Sequence, residues 1–339
     1  MGVATATRAE TALDVHGLRV SIAGDWPQVV EELRLDFAWF HRGTSSDAAD
    51  VEVTIERRPP DFDALGDIPA TFVTPRNVVY RDAERTVVDY FGRAVSVLDH
   101  GGSRIGIQGE EKHLVHQAAY LFLLSRIGEY LDARRLPRLH GLGLTGAQGA
   151  VVVMLPSGGG KSTLALRALR EPGVKLLSED SPLIDGRGQV HPFPLRIGVN
   201  PTDADALPDG HVREIERLEF HPKLVLELDA FADRIASEPQ PLRHLVLGSR
   251  RLGRDASLTP APRRAAAGPL FREAVVGVGL YQGMEFVLQR GARDVLGQAG
   301  PALTRVRCCT AGLAKASVWR LETGRDHDRN WAALEPLLR

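Results

Sequence analysis

Between residues 13 and 108 the apolar positions recur at every second residue, in short runs separated by turn-forming residues. Residues 13–22 alternate toward Gly24-Asp25, and residues 51–55, 78–80, 87–90 and 94–98 repeat the pattern. His100-Gly101-Gly102 marks a turn into a last run at 103–107. Period two with this spacing predicts an antiparallel β-rich lobe over residues 1–108. Pro59, Pro60 and the acidic residues from Asp61 to Asp67 predict a loop. One stretch, residues 27–41, is helical in pattern and carries Val30, Leu33, Leu35, Phe37 and Phe40. From Glu110 to Arg134 the period changes to that of a helix. Leu114, Ala118, Phe122 and Ile127 lie on one side, and Leu121, Leu123 and Leu124 widen the stripe, so this helix is expected to be buried on most of its surface. Residues 249–274 are rich in Arg, Ala and Pro without a period and predict a mobile surface loop. Residues 326–338 predict a short amphipathic helix bearing Trp331, Leu334 and Leu338.

Composition narrows the class. With 339 residues, 43% hydrophobic and 25% charged, the chain is ordinary globular protein, long enough for two domains or for one with an appendage. Lys+Arg 42 against Asp+Glu 43 leaves a formal charge of −1, which gives no electrostatic reason to expect nucleic acid or an anionic membrane as a partner. No apolar run reaches the ~18–20 residues of a membrane span, and residues 1–6 show neither a signal core nor a myristoylation pattern. The cytoplasm is the expected location. Cys308 and Cys309 are neighbours and cannot staple distant segments, so two reduced, buried thiols are expected.

Candidate chemistry concentrates between residues 149 and 180. Residues 150–155 form a continuous apolar run, as expected of a strand buried on both faces. Pro156-Ser157-Gly158-Gly159-Gly160-Lys161-Ser162-Thr163 follows, and residues 164–170 then read as helix up to Pro172-Gly173. Strand, glycine loop and helix in that order are the context of a phosphate-binding loop. The glycines let several backbone N–H groups turn toward one anion at the positive end of the helix dipole. Lys161 is expected to reach the β- and γ-phosphates and Ser162 to ligate Mg2+. The usual pattern has a glycine six residues before the lysine, and Leu155 stands there. Residues 174–178 predict the next strand, parallel to the first, whose end carries Glu179 and Asp180 to the same sheet edge. Two carboxylates there can hold a metal and take a proton from a hydroxyl. A turn-capping role is the structural alternative.

Leu139-His140-Gly141, the loop at 157–163 and Leu177-Ser178-Glu179-Asp180 together resemble the catalytic core of HPr kinase/phosphorylase, a fold related to phosphoenolpyruvate carboxykinase. Residues 191–196 and 220–223 extend the likeness more weakly. The resemblance implies an α/β protein with a P-loop kinase core of this type over residues 109–339, behind the N-terminal β-rich lobe. It implies ATP, with GTP as the alternative, and Mg2+ held by Ser162 and Asp180. It further implies transfer to a Ser/Thr hydroxyl of a peptide or small protein, with Glu179 and Asp180 supplying the base and His140 near the phosphates, a structural turn histidine being the other reading of His140. The chain departs from the family at Glu179, where the family has aspartate, and at Thr163, where it has an acid. The N-terminal lobe shows no sign of the family enzyme's own N-terminal domain, so HPr is not carried over as substrate. The expected relation is to a paralogue associated with modified-peptide biosynthesis. A non-catalytic nucleotide sensor is the alternative function. Arg196, behind Pro192-Phe193-Pro194, is a candidate for the γ-phosphate, with a surface ion pair as its other reading, and Lys223 shares that choice. Asp326-His327-Asp328 has metal-like composition but is expected to cap a helix. Self-association into a homo-oligomer is left open.

Overall fold

The computed structural model describes residues 8–44, 48–99, 101, 103–156, 158–199, 211–216, 222–276 and 299–339. Among these the chain is a mixed α/β protein of two compact units. One comprises Met1–Tyr130 and Arg213–Leu224, and the other Leu131–Val212, Val225–Tyr281 and Gly297–Arg339.

The first unit is built on an eight-stranded sheet: β1 (Ala9–Val15), β2 (Leu18–Gly24), β3 (Val51–Glu56), β4 (Ala70–Val73), β5 (Val78–Arg81), β6 (Arg85–Asp89), β7 (Ala94–Asp99) and β8 (Arg104–Gly109). Their order is β1-β2-β3-β8-β7-β6-β5-β4. The alternation at 13–22 reads as one strand, but the structure folds it into a hairpin. His16 (φ 53°) and Gly17 (φ 94°) are both left-handed, as a tight two-residue turn requires, and the Gly17 N–H donates to Asp14 Oδ1 at 2.7 Å. The sheet is not wholly antiparallel either. β2 and β3 run parallel, as do β3 and β8. The first of these parallel pairs is spanned by a crossover containing α1 (Pro27–Asp36). Of the predicted turn at 100–102, His100 and Gly102 lie outside the described residues. α2 (Lys112–Ala133) buries Leu114, Ala118, Phe122 and Ile127, and through Tyr130 it belongs to this unit. His116 Nε2 lies 2.9 Å from Asp36 Oδ2 of α1, and Tyr130 OH donates to His16 O at 3.4 Å, contacts that hold α2 in this unit beyond residue 108.

The second unit contains β9 (Leu142–Gly146), β10 (Gly149–Met154), β11 (Lys175–Ser178), β12 (Leu183–Ile184), β13 (Gln189–His191) and β14 (Ile197–Val199). In chain order the short strands β15 (Val212–Ile215) and β16 (Lys223–Leu226) follow, of which Arg213–Leu224 belongs to the first unit, and then β17 (Gln240–Arg250), β18 (Ser257–Ala261) and β19 (Ser317–Thr323) of the second. Among the described residues its α-helices are α3 (Lys161–Ala168), α4 (Ala267–Leu270), α5 (Ala299–Lys315) and α6 (His327–Leu334). In the main sheet, β10, β17 and β19 run parallel. β9 lies between β10 and β11 and is antiparallel to both. β11 therefore runs in the direction of β10, as the sequence predicts, with one strand interposed. The core below the sheet gathers Val152, Leu177, Leu245 and Val318 with Cys308 and Cys309 of α5. Both thiols are free and buried, and burial pushes Cys309 up to about 12. Among the described residues no helix is long and apolar enough to cross a membrane.

Residues 249–274 are not the loop that their composition suggests. They complete β17, form β18 and then turn helically through α4. β18 pairs only with β19, an edge place where Pro260 removes no needed donor.

Candidate functional site

The carboxyl ends of β10, β11, β17 and β19 share one edge of the second unit's sheet, the edge at which ligands of such sheets bind. β10 is buried along its whole length and delivers the chain to Leu155 and Pro156. Ser157 lies outside the described residues. Gly158 (φ 72°) and Gly160 (φ 102°) adopt the left-handed conformation that side chains resist, so glycine is required at both. Gly159 is required for space, since a Cβ there would stand 2.8 Å from Pro156 O. The Gly159 N–H donates to that same oxygen at 2.9 Å and closes the turn. Gly160 then caps α3, whose first residue is Lys161.

Leu155 occupies the place of the usual first glycine, and the structure accounts for it. Its side chain is buried against Gly248 of β17, where an added Cβ would lie 2.3 Å from Leu155 Cδ2. The room a glycine gives elsewhere is supplied here by a glycine on the neighbouring strand.

Lys161 is 8% exposed and donates from Nζ to Leu155 O at 3.0 Å. The same Nζ lies 3.0 Å from His140 Nε2 and 3.5 Å from Asp180 Oδ1. Backbone bonds fix this meeting. Leu139 N–H donates to Pro182 O and Gly141 N–H to Asp180 O, laying residues 139–141 beside 180–182. Gly141 is needed because a Cβ would press on Val153 O at 3.0 Å. The turn carrying Glu179-Asp180 is closed by Ser181 N–H donating to the buried Ser178 Oγ at 3.0 Å. Ser162 Oγ donates to Glu179 Oε1 at 2.5 Å.

His140 has a second carboxylate, Glu273, which the sequence did not single out. Its Oε2 lies 2.9 Å from His140 Nδ1, and its other oxygen accepts from Arg272 Nε at 2.7 Å. Nε2 lies 3.1 Å from Asp180 Oδ1. The hydrogen bond with Asp180, against the cost of burial, raises the imidazole above its ordinary value, and the bond with Glu273 adds to this. Burial alone would raise Asp180, but its bond with His140 and the charges of His140 and Lys161 hold it below the usual carboxylate range. Glu273 is likewise lowered, its bonds with His140 and Arg272 overcoming burial. Glu273 lies in an Arg- and Ala-rich stretch without a period, so no sequence signal marks it.

Hard oxygen donors, the Ser162 hydroxyl and the Glu179 and Asp180 carboxylates, are what Mg2+ selects, and Lys161 stands beside Asp180. The residues present thus offer Mg2+ a set of oxygen donors. Phe193 N–H donates to Leu177 O at 2.8 Å, which lays the segment leading to Arg196 beside the end of β11. Arg196 is half-buried immediately ahead of β14, and Lys223 opens β16 in the first unit. Phe220 and His221 lie outside the described residues. Asp326 caps α6, its carboxylate accepting from Arg329 N–H. A separate group, His211, Glu227 and Asp229, brings ligand atoms within 4.8 Å of one another. No protein-family model matches this chain, and no curated protein matches it.

Proposed function

We propose that this protein is an ATP-dependent kinase, of the HPr kinase/phosphoenolpyruvate carboxykinase type, that transfers the γ-phosphate to a Ser or Thr hydroxyl on a peptide or small protein. The observation that carries the reading is the juxtaposition of a glycine cradle, its lysine and two carboxylates at one sheet edge. The distances divide the carboxylates. Glu179 is bonded by Ser162, so Glu179 and Ser162 hold Mg2+ in this reading. Asp180 pairs with His140 and Lys161, and its side chain is 44% exposed, open to an incoming acceptor. The sequence places Asp180 beside Ser162 at the metal, and the hydrogen bond of Ser162 favours the exchange of roles.

Lys161 leaves Leu155 O and Asp180 for the β- and γ-phosphates when nucleotide binds. The acceptor oxygen forms its bond to the γ-phosphorus as the bond to the β–γ bridging oxygen breaks. The hydroxyl proton passes to Asp180, and the nucleoside diphosphate leaves. Mg2+, when bound, neutralises charge on the phosphate oxygens. His140, held by Glu273, orients Asp180.

Asp180→Asn tests this assignment. General-base assistance is worth about 10²–10⁴-fold in rate, so transfer falls by that order while Mg-ATP affinity stays close to wild type. Glu179→Gln raises the magnesium requirement instead. Wild-type transfer in both variants would make the pair structural, and tight ATP binding without transfer to any acceptor would favour the nucleotide sensor.

A further inference from the structure

After α4 the chain enters a π-helical turn, Phe271–Val276, that packs against α5 within the second unit. Such turns close hydrogen bonds from each residue to the fifth one along, are rare, and occur frequently at functional sites. Here the first three residues divide between two sides. Glu273 is turned inward, its side chain 14% exposed and its Oε2 2.9 Å from His140 Nδ1. Phe271 and Arg272 face outward, Phe271 at 56% exposed and the Arg272 side chain at 64%. A single exposed apolar residue is ordinary on a protein surface. The place of this one is not, because two residues along the chain Glu273 holds His140, and His140 Nε2 lies 3.1 Å from Asp180 Oδ1.

The charge of this surface fits an anion. Arg272 Nε donates to Glu273 Oε1 at 2.7 Å, and among the described residues neither of its Nη groups has a partner. That pair of nitrogens is the planar fork that a carboxylate accepts with both oxygens. Residues 249–274 carry six arginines against two acids, Asp255 and Glu273, so the surroundings favour a partner of the same sign. The contacts from Asp180 through His140 and Glu273 put Arg272 Nε no more than about 13 Å from Asp180 Oδ1, a span that ~four residues of extended peptide cover at ~3.3 Å each. We propose that Phe271 and Arg272 form the docking surface for the acceptor peptide. Arg272 receives an Asp or Glu side chain within about four residues of the phosphorylated Ser or Thr, and Phe271 covers an apolar side chain next to that acid. Arg272 then bridges the peptide carboxylate and Glu273. The assignment rests on the reading of Asp180 as the base of a peptide kinase.

The test is phosphorylation of a positional-scanning library of Ser and Thr peptides, with amidated C-termini, by the full chain and Mg-ATP. The preferred acidic peptide is then compared by kcat/KM with its Asn or Gln counterpart, and with a peptide in which Ala replaces the apolar neighbour. Wild type is expected to favour the acidic peptide about tenfold over the neutral one, the scale of one charge-assisted hydrogen bond. Arg272→Ala is expected to bring that ratio within about twofold of unity. Phe271→Ala is expected to lower the preference for the apolar neighbour about fivefold, the scale of a partly buried side chain, and to keep the preference for the acid. Both side chains are exposed, and melting temperatures show whether each variant is folded. Transfer by wild type without preference for an acid, or with preference for a basic residue, would overturn the docking surface and leave the kinase standing. So would an Arg272→Ala variant that slows the acidic and neutral peptides equally, since that is the mark of a structural role. Transfer to no peptide of the library, by protein that binds Mg-ATP, would remove the kinase reading and the docking surface with it.

Discussion

Lys161 and His140 carry the argument at the scale of single residues. A lysine so deeply buried is held by Leu155 O, His140 and Asp180, and its charge is available to phosphate only when those partners release it. Removing a charge-assisted contact to phosphate costs about 2–3 kcal/mol, so Lys161→Ala is expected to weaken Mg-ATP binding by an order of magnitude or more in calorimetry. Unchanged affinity would remove the loop from the site. His140 sits between two carboxylates, Asp180 at 3.1 Å and Glu273 at 2.9 Å. Glu273→Gln takes away one of them, and the imidazole pKa followed by NMR is expected to fall from its raised wild-type value. A pKa that does not move would show that Glu273 has no hold on the ring. The linkage has a definite sign. His140 is raised, so its contribution to stability is full below its unfolded value of 6.5 and is lost as pH rises through the folded one. Asp180 and Glu273 are lowered, so theirs is present above their unfolded values and is lost as pH falls. The cluster stabilises most between roughly pH 4.5 and 6.5, and Glu273→Gln is expected to flatten the pH dependence of melting on both sides of that window.

Among the elements, the strand–loop–helix from β10 to α3 was legible because each part has a local cause: an apolar run, glycines with left-handed φ, and a helix starting at the lysine. The half-buried acids after β11 were legible for the same reason. What the sequence could not show is which strands become neighbours. β9 separates β10 from β11, and β17 supplies Gly248 under Leu155, both consequences of pairing across long separations. Glu273 stayed hidden because helical turns of Arg, Ala and Gly have no apolar period, and β18 because an edge strand with a proline does not read as one. The Leu155–Gly248 pair invites a double-mutant cycle. Gly248→Ala puts a Cβ into the leucine and is expected to destabilise by ~1–3 kcal/mol, the usual cost of overpacking. Leu155→Ala alone loses ~2–5 kcal/mol. The double variant is expected to lose less than the sum, because each change relieves the other, and additive losses in urea denaturation would show that the two side chains do not share that space.

At the scale of the whole molecule, the α/β class was legible and the organisation only partly so. Alternation announces strands but not their direction, and the parallel pairs β2–β3 and β3–β8 follow from the crossover containing α1 and the return of β8. α2 carries apolar residues on nearly every side, and its pattern does not say which unit it covers. Loop, lysine and acids meet at one sheet edge within the second unit. Phosphoryl transfer to a hydroxyl is read most directly by phosphopeptide mass spectrometry. The protein is incubated with Mg-ATP and an extract of its host, in parallel with Asp180→Asn. A phosphoserine or phosphothreonine peptide is expected to appear with wild type and to be reduced by about 10²-fold or more with the variant. No new phosphopeptide, with both proteins binding Mg-ATP equally well, would contradict it.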